Sequence, residues 1–89
     1  MKVEYNVQVW REGDQFIAHA MPLDVMSSGP TPETACRALD EAARLFLRTA
    51  EEMGTLQEVL EECSYELQDG VWRAPEWIAA ERRSTLLSA

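Results

Sequence analysis

Residues 24–60 read DVMSSGPTPETACRALDEAARLFLRTAEEMGTLQEVL, and most of the expected architecture follows from them. A short strand is expected at residues 24–28, after which Gly29-Pro30-Thr31-Pro32 turns the chain into a helix. Thr31 is a suitable N-cap, because its hydroxyl can accept a backbone N–H of the first turn. Pro32 suits the first helical position, where a missing N–H costs nothing. The stretch therefore predicts a strand followed directly by a long helix.

The helix that starts here has an amphipathic pattern, with apolar residues at spacings of three and four. Its main stripe, which is expected to lie on a sheet, comprises Ala35, Leu39, Ala42, Phe46, Ala50 and Met53. A second, weaker stripe of Cys36, Ala43 and Leu47 is either a wider core or a contact between copies. Gly54 is expected to end the helix. Thr55 and Glu58 predict a capping box that opens a second helix.

The segment before this junction predicts two further strands. Val3, Tyr5, Val7 and Val9 alternate with polar residues, the period of a half-buried strand. Gly13 allows a tight turn after it, and residues 15–21 form a second strand that Pro22 ends. Its buried face is either Phe16, Ala18 and Ala20 or Ile17, His19 and Met21. The fold class expected is α+β, with helices on one face of a three- or four-stranded antiparallel sheet.

The C-terminal part predicts a hairpin and a tail. Asp69-Gly70 stands between two short strand-like runs, 65–68 and 71–74, which favours a type I′ turn. Pro75 is expected to open a last short helix through about residue 83. The chain is accordingly divided into an α+β domain at 1–74 and a short helix or tail at 75–89.

Composition limits the classes of function. The chain has 89 residues, 46% of them hydrophobic, which suits one small folded domain that self-association would help to stabilise. No apolar run is long enough to span a bilayer and no signal peptide is present, so a cytoplasmic protein is expected. The net charge of −8 disfavours binding to nucleic acid. Residues 31–63 carry eight acids and three arginines, an excess that is either a solvated face or a surface for a basic partner.

The chain resembles the HicB family of antitoxins, in its short stand-alone form, over residues 5–67. The resemblance rests on the N-terminal hairpin, Ser27-Ser28-Gly29, Thr31-Pro32-Glu33 and the segment from Leu45-Phe46-Leu47 to residue 56. It implies a βββαβ core that is a degraded ribonuclease-H-like fold. It also implies that the protein binds and occludes HicA, a small basic ribonuclease toxin.

Two features depart from the family pattern. Only 26 residues follow Cys63, too few for the DNA-binding domain that many members carry, so operator binding is not expected. Leu23-Asp24-Val25 replaces the Pro-Gly-Cys often found before the third strand, and Pro30 replaces a small polar or acidic residue.

No residue is assigned to catalysis, to a cofactor or to a metal, and the chain is not expected to be an enzyme. Asp24, Asp40 and Glu41 could serve two-metal hydrolysis only if they converged, and nothing in their spacing indicates this. His19 has no partner recognisable in the sequence. Cys36 and Cys63 lack the spacing of metal ligands and are expected to be reduced thiols.

The candidate partner-binding residues are acidic or aromatic. They are Trp10, Glu51, Glu52, Glu58, Glu61, Glu62, Trp72 and Trp77. The glutamates could pair with arginine or lysine of a basic toxin. The tryptophans either pack on their own fold or lie in an interface, where this residue type is enriched. The alternative to the antitoxin hypothesis is a toxin-free module that retained the fold and forms a homo-oligomer, a dimer or tetramer.

Overall fold

The computed structural model describes residues 1–88, which form six strands and two helices. The elements in chain order are β1 (Lys2–Val3), β2 (Asn6–Glu12), β3 (Gln15–Met21), β4 (Val25–Gly29), α1 (Pro32–Glu52), α2 (Leu56–Glu62), β5 (Glu66–Gln68) and β6 (Val71–Arg73). They build two three-stranded sheets, in the orders β2-β3-β4 and β1-β6-β5. The α+β class is confirmed.

The first sheet is the expected antiparallel meander. Gly13 turns β2 into β3 with a positive φ of 61°, and β3 ends at Met21, before Pro22. Ala18 and Ala20 are fully buried, so the face that also carries Phe16 packs on α1. This settles which side of β3 is buried. Ile17 and His19 therefore lie on the opposite face of the sheet.

The second sheet corrects the expectation of a single antiparallel sheet. The alternating N-terminal segment is not one strand, because β1 pairs in parallel with β6 while β2 joins the meander. The Glu4 N–H donates to the Trp72 carbonyl at 3.0 Å, so the chain stays paired with β6 as far as Glu4. Residues 4–5 then separate β1 from β2. The hairpin of β5 and β6 has Asp69 at φ 52° and Gly70 at φ 79°, and these values confirm the type I′ turn.

The start of α1 follows the sequence prediction. Thr31 caps it through a capping box, in which the Thr34 N–H donates to Thr31 Oγ1 at 3.1 Å and the Thr31 N–H donates to Thr34 Oγ1 at 3.0 Å. Gly29 passes so close to this turn that a Cβ there would lie 2.5 Å from Thr34 Oγ1 and 2.8 Å from the Ala35 nitrogen. The strand-to-helix junction therefore requires glycine at this position.

The end of α1 differs in part from the prediction. Gly54 takes a positive φ of 74°, as a residue that ends a helix should. The capping box predicted for α2 is wrong, since Thr55 makes no side-chain capping bond. Its hydroxyl donates instead to the Ala50 carbonyl at 3.3 Å, and so satisfies the last turn of α1 rather than the first turn of α2.

Two clusters of buried residues form the core. The first, between the meander and α1, consists of Ala18, Ala20, Ala35 and Leu39. The second, between α2 and the other sheet, consists of Leu23, Leu60, Tyr65 and Trp72. Tyr5 and Val25 contact both clusters and join them into one core.

The apolar stripe of α1 lies differently from the prediction. Ala35, Leu39 and Ala50 are buried as expected, but Ala43 of the weaker stripe is buried with them. Phe46 and Met53 of the main stripe are 38% and 71% exposed. Helix α1 has 21 residues and is about 31 Å long, whereas a strand of seven residues spans about 24 Å. About the last five residues of α1 therefore extend beyond the sheet that would cover them.

The predicted C-terminal helix is wrong. Residues 74–88 contain neither helix nor strand, and Ile78, Leu86 and Leu87 are 86%, 98% and 94% exposed. A short helix is marginal unless it docks on a neighbour, and these side chains contact little of the fold. The radius of gyration of 15.4 Å exceeds the roughly 12 Å usual for this length, because the tail extends outward. Ala89, the last residue of the predicted tail, lies outside the described residues.

Candidate protein-binding surface

An acidic surface covers the end of the molecule where α1 meets α2. Its five residues, Glu51, Glu52, Glu58, Glu61 and Glu62, are all exposed. Within residues 1–88 none of the five has a lysine or arginine within 4.0 Å. Glu61 accepts a hydrogen bond from the Gln57 side chain at 2.7 Å, which leaves its charge uncompensated. The five glutamates therefore keep their negative charge available to a partner.

An apolar groove lies beside this acidic surface, along the C-terminal half of α1 and the start of α2. It has a volume of about 540 Å³ and is lined by Ala42, Leu45, Phe46, Thr49, Ala50, Met53, Thr55 and Val59. Leu45 is 54% exposed, and Met53 is more exposed still. Glu52 follows Thr49 by one helical turn, and Glu62 follows Val59 in the same way, so acids border the groove on both helices. We call this feature the α1–α2 groove.

The three tryptophans lie in different environments. Trp72 is 9% exposed and packs in the second core cluster, so it is removed from the candidate partner-binding residues. Trp77 is 46% exposed, in the tail. Trp10 is half-buried on the face of the meander opposite α1, where it lies across from Ile17. Its indole N–H donates to Glu12 at 2.9 Å, and its ring meets His19 edge-on at 5.9 Å.

His19 is fully occupied by its neighbours on that same face. Its Nε2 lies 2.6 Å from Asp24 Oδ1, and its Nδ1 lies 2.9 Å from the Gln8 side-chain nitrogen. If Nε2–H donates to the carboxylate, then Nδ1 accepts from the amide, and neither nitrogen is left to take a proton from a substrate. Asp24 adopts a positive φ of 60° while making this contact. The arrangement fixes the β3–β4 turn to the sheet.

The carboxylates considered for two-metal hydrolysis have separate partners. Asp24 is bound to His19, Asp40 accepts a hydrogen bond from the Tyr5 hydroxyl at 2.7 Å, and Glu41 is exposed. Across residues 1–88 no group of three or more histidine, cysteine or acidic residues is placed to hold a metal ion. Cys36 and Cys63 are both free and half-buried.

Three side chains have raised pKa values. Burial raises the pKa of Tyr65 to about 12, and burial together with the hydrogen bond to Asp40 raises the pKa of Tyr5 to about 12. Burial, with Glu62 nearby, also raises the pKa of the Cys63 thiol. All three groups therefore favour their neutral forms, and none is prepared to act as a nucleophile or base at neutral pH.

Sequence reasoning found the acidic surface but missed the groove. The spacing that assigned Phe46 and Met53 to the core was correct for a helix wholly covered by a sheet. The sequence did contain one signal for an uncovered helix end. The apolar pattern predicts a helix longer than the neighbouring strands, so the strands cannot cover all of it.

Comparison with protein families, with curated proteins and with solved structures found no match to this chain. Neither helix in residues 1–88 is long and apolar enough to cross a membrane.

Proposed function

We propose that this protein is a HicB-like antitoxin that binds a small basic ribonuclease toxin through its acidic surface. The observation that carries the proposal is the set of five exposed glutamates without cationic partners at one end of the fold. Such a surface attracts a basic protein and orients it during encounter. The sequence resemblance supplies the class of partner. The toxin's arginine and lysine side chains would pair with the glutamates and be blocked from RNA.

The first experiment is to purify the tagged protein gently from its native cell and to identify what co-elutes by mass spectrometry. A stoichiometric basic protein of well under about 100 residues supports the proposal. Recovery of this chain without such a partner contradicts it and favours the toxin-free module. A neighbouring gene for a short basic protein with a catalytic histidine would favour the antitoxin function over the toxin-free module.

Charge reversal then tests whether the acidic surface makes the contact. Glu51 and Glu61 lie in the last turns of α1 and α2, where a positive side chain suits the helix dipole. Glu51→Lys/Glu61→Lys should therefore leave the fold intact while lowering toxin affinity at least about tenfold. The control is Asp14→Lys/Glu66→Lys, which changes the net charge equally at exposed positions elsewhere. Equal toxin affinity in the two double variants would show that the acidic surface is not part of the interface with the toxin.

The toxin-free homo-oligomer remains the second candidate function. The observation that favours it is the exposed α1–α2 groove, since an apolar patch of this kind usually marks a site of association.

A further inference from the structure

We infer that the α1–α2 groove binds the C-terminal segment, residues 82–88, of a second copy of this chain. The inference rests on the groove and the tail of the pure protein and does not depend on a toxin. Both surfaces are apolar and exposed in the single chain. Leu86 and Leu87 are 98% and 94% exposed, and within the groove Leu45 and Met53 are 54% and 71% exposed. Docking would remove both sets of side chains from water.

The charge of residues 82–88 favours this segment over other apolar partners as the occupant of the groove. The segment reads RRSTLLS and carries two arginines and no acid. Arg83 pairs with Glu81 just before the segment, while Arg82 has no carboxylate within 4.0 Å among residues 1–88. Glu52 and Glu62, which follow the lining residues Thr49 and Val59 by one helical turn, are both exposed. A segment that is basic at one end and apolar at the other thus meets a groove that is apolar and rimmed by acids.

The dimensions agree as well. The lining from Ala42 to Met53 runs about 17 Å along α1, at 1.5 Å per residue. Arg82 and Arg83 each precede a leucine by four residues, so a helical segment would present all four side chains on one face. Seven helical residues are about 10 Å long and fit within the groove. This is the helix-in-groove mode of recognition, in which a segment without regular structure folds as it binds.

The course of the tail favours binding to the groove of a second copy over binding to the groove of the same chain. Residues 76–81 run beside Gln8 of β2. The flank of α1 toward β1 is formed by Asp40, Arg44 and Leu47. Leu45 and Thr49 of the groove lie on the opposite flank of the same helix. A reciprocal exchange gives each copy two contacts and closes as a symmetric dimer.

The test uses pure full-length protein and sedimentation velocity from micromolar to millimolar concentration. The tail variant is Leu86→Ser/Leu87→Ser, whose positions are so exposed that the fold cannot depend on them. The groove variant is Leu45→Glu/Met53→Glu, and the matched control is Leu67→Ser, at a residue of the β5–β6 hairpin that is 56% exposed. The wild type should dimerise. Each double variant should weaken the dimer at least about tenfold, and the control should change it less than about twofold.

Mixing the two double variants distinguishes exchange between copies from other contacts. The isotope-labelled tail variant keeps an intact groove, and the unlabelled groove variant supplies an intact tail. Titration should shift amide signals of residues 42–59 in the labelled chain, and the reverse labelling should shift residues 82–88. A monomeric wild type, a dimer indifferent to the tail variant, or shifts confined to other residues would each overturn the inference.

Discussion

The hydroxyl of Tyr65 provides a sharp test of the second core cluster. Tyr65 is 4% exposed, packs with Leu23, Leu60 and Trp72, and donates a hydrogen bond to the Glu4 carbonyl at 2.5 Å. This bond ties the end of α2 to the N-terminal segment, where the chain passes from one sheet to the other. The perturbation is Tyr65→Phe, which removes only the hydroxyl. At neutral pH it should cost about 1 kcal/mol, the net contribution of one such hydrogen bond.

The pH dependence gives a larger and more specific effect. Burial raises the pKa of Tyr65 from 10.0 to about 12, so the folded state holds this proton more tightly than the unfolded chain does. The stabilisation is complete below about pH 10 and is lost as the pH rises through about 12. Two pH units correspond to about 2.7 kcal/mol. The wild type should therefore lose this amount over that window, in addition to any loss from Tyr5 and Cys63.

The measurement is urea unfolding of the wild type and of Tyr65→Phe, followed by tryptophan fluorescence at several pH values. Losses from Tyr5 and Cys63 occur in both proteins and cancel in the difference. The variant should be the less stable protein at neutral pH and the more stable one at pH 12, with the curves crossing near about pH 11. Leu67→Ala is the control, since it removes exposed atoms and no titrating group, so its curve should run parallel to that of the wild type. Parallel curves for the wild type and Tyr65→Phe would show that the hydroxyl is not buried as described.

Three further substitutions test the junction and the core by chemical denaturation. Gly29→Ala should cost about 1–3 kcal/mol, because its Cβ meets the Ala35 nitrogen at 2.8 Å, and an unchanged midpoint would contradict this close approach. Thr31→Ala should cost about 1 kcal/mol by removing the N-cap, whereas Thr31→Ser should restore most of it. Leu60→Ala should cost about 2–5 kcal/mol, since the side chain is fully buried, against less than about 0.5 kcal/mol for Leu67→Ala in the exposed hairpin.

Local signals in the sequence predicted much of the fold. The N-cap at Thr31, the limits of β3 and the turn at Asp69-Gly70 each depend on residues a few positions apart. Their physical causes are hydrogen bonding of the first helical turn, the missing N–H of proline and tolerance of positive φ. These causes act wherever the segment lies in the molecule, so they can be read without knowing its neighbours.

The pairing of β1 with β6 could not be predicted in this way. Val3 lies opposite Trp72 in a parallel pair. Parallel strands are not joined by a short turn, so no turn residue in the sequence indicates that they pair. The alternation of Val3, Tyr5, Val7 and Val9 is equally compatible with one strand and with two, and only the distant Trp72 carbonyl separates them. Non-local contacts decided the topology, while local contacts decided the elements.

The mismatch between α1 and its sheet links the fold to the proposed interactions. Leu39 is buried against the meander, Leu45 lies on a flank of α1 turned away from it, and Met53 lies just past the end of the helix. The strands of the meander are at most about 24 Å long, so about the last five residues of α1 lie past them. Any cover for these exposed apolar side chains must come from outside the meander.

The two proposals overlap in part, since Glu52 and Glu62 belong both to the acidic surface and to the rim of the groove, while Glu51 and Glu61 belong to the acidic surface alone. The tail of a second copy is assigned to the groove and its rim at Glu52 and Glu62, whereas the test of toxin binding uses Glu51 and Glu61. If the assignments hold, Leu86→Ser/Leu87→Ser should abolish the dimer and leave toxin affinity within about twofold, while Glu51→Lys/Glu61→Lys should do the reverse. If Leu86→Ser/Leu87→Ser instead raised toxin affinity, toxin and tail would compete for one surface, and the dimer would have to dissociate before a toxin could bind.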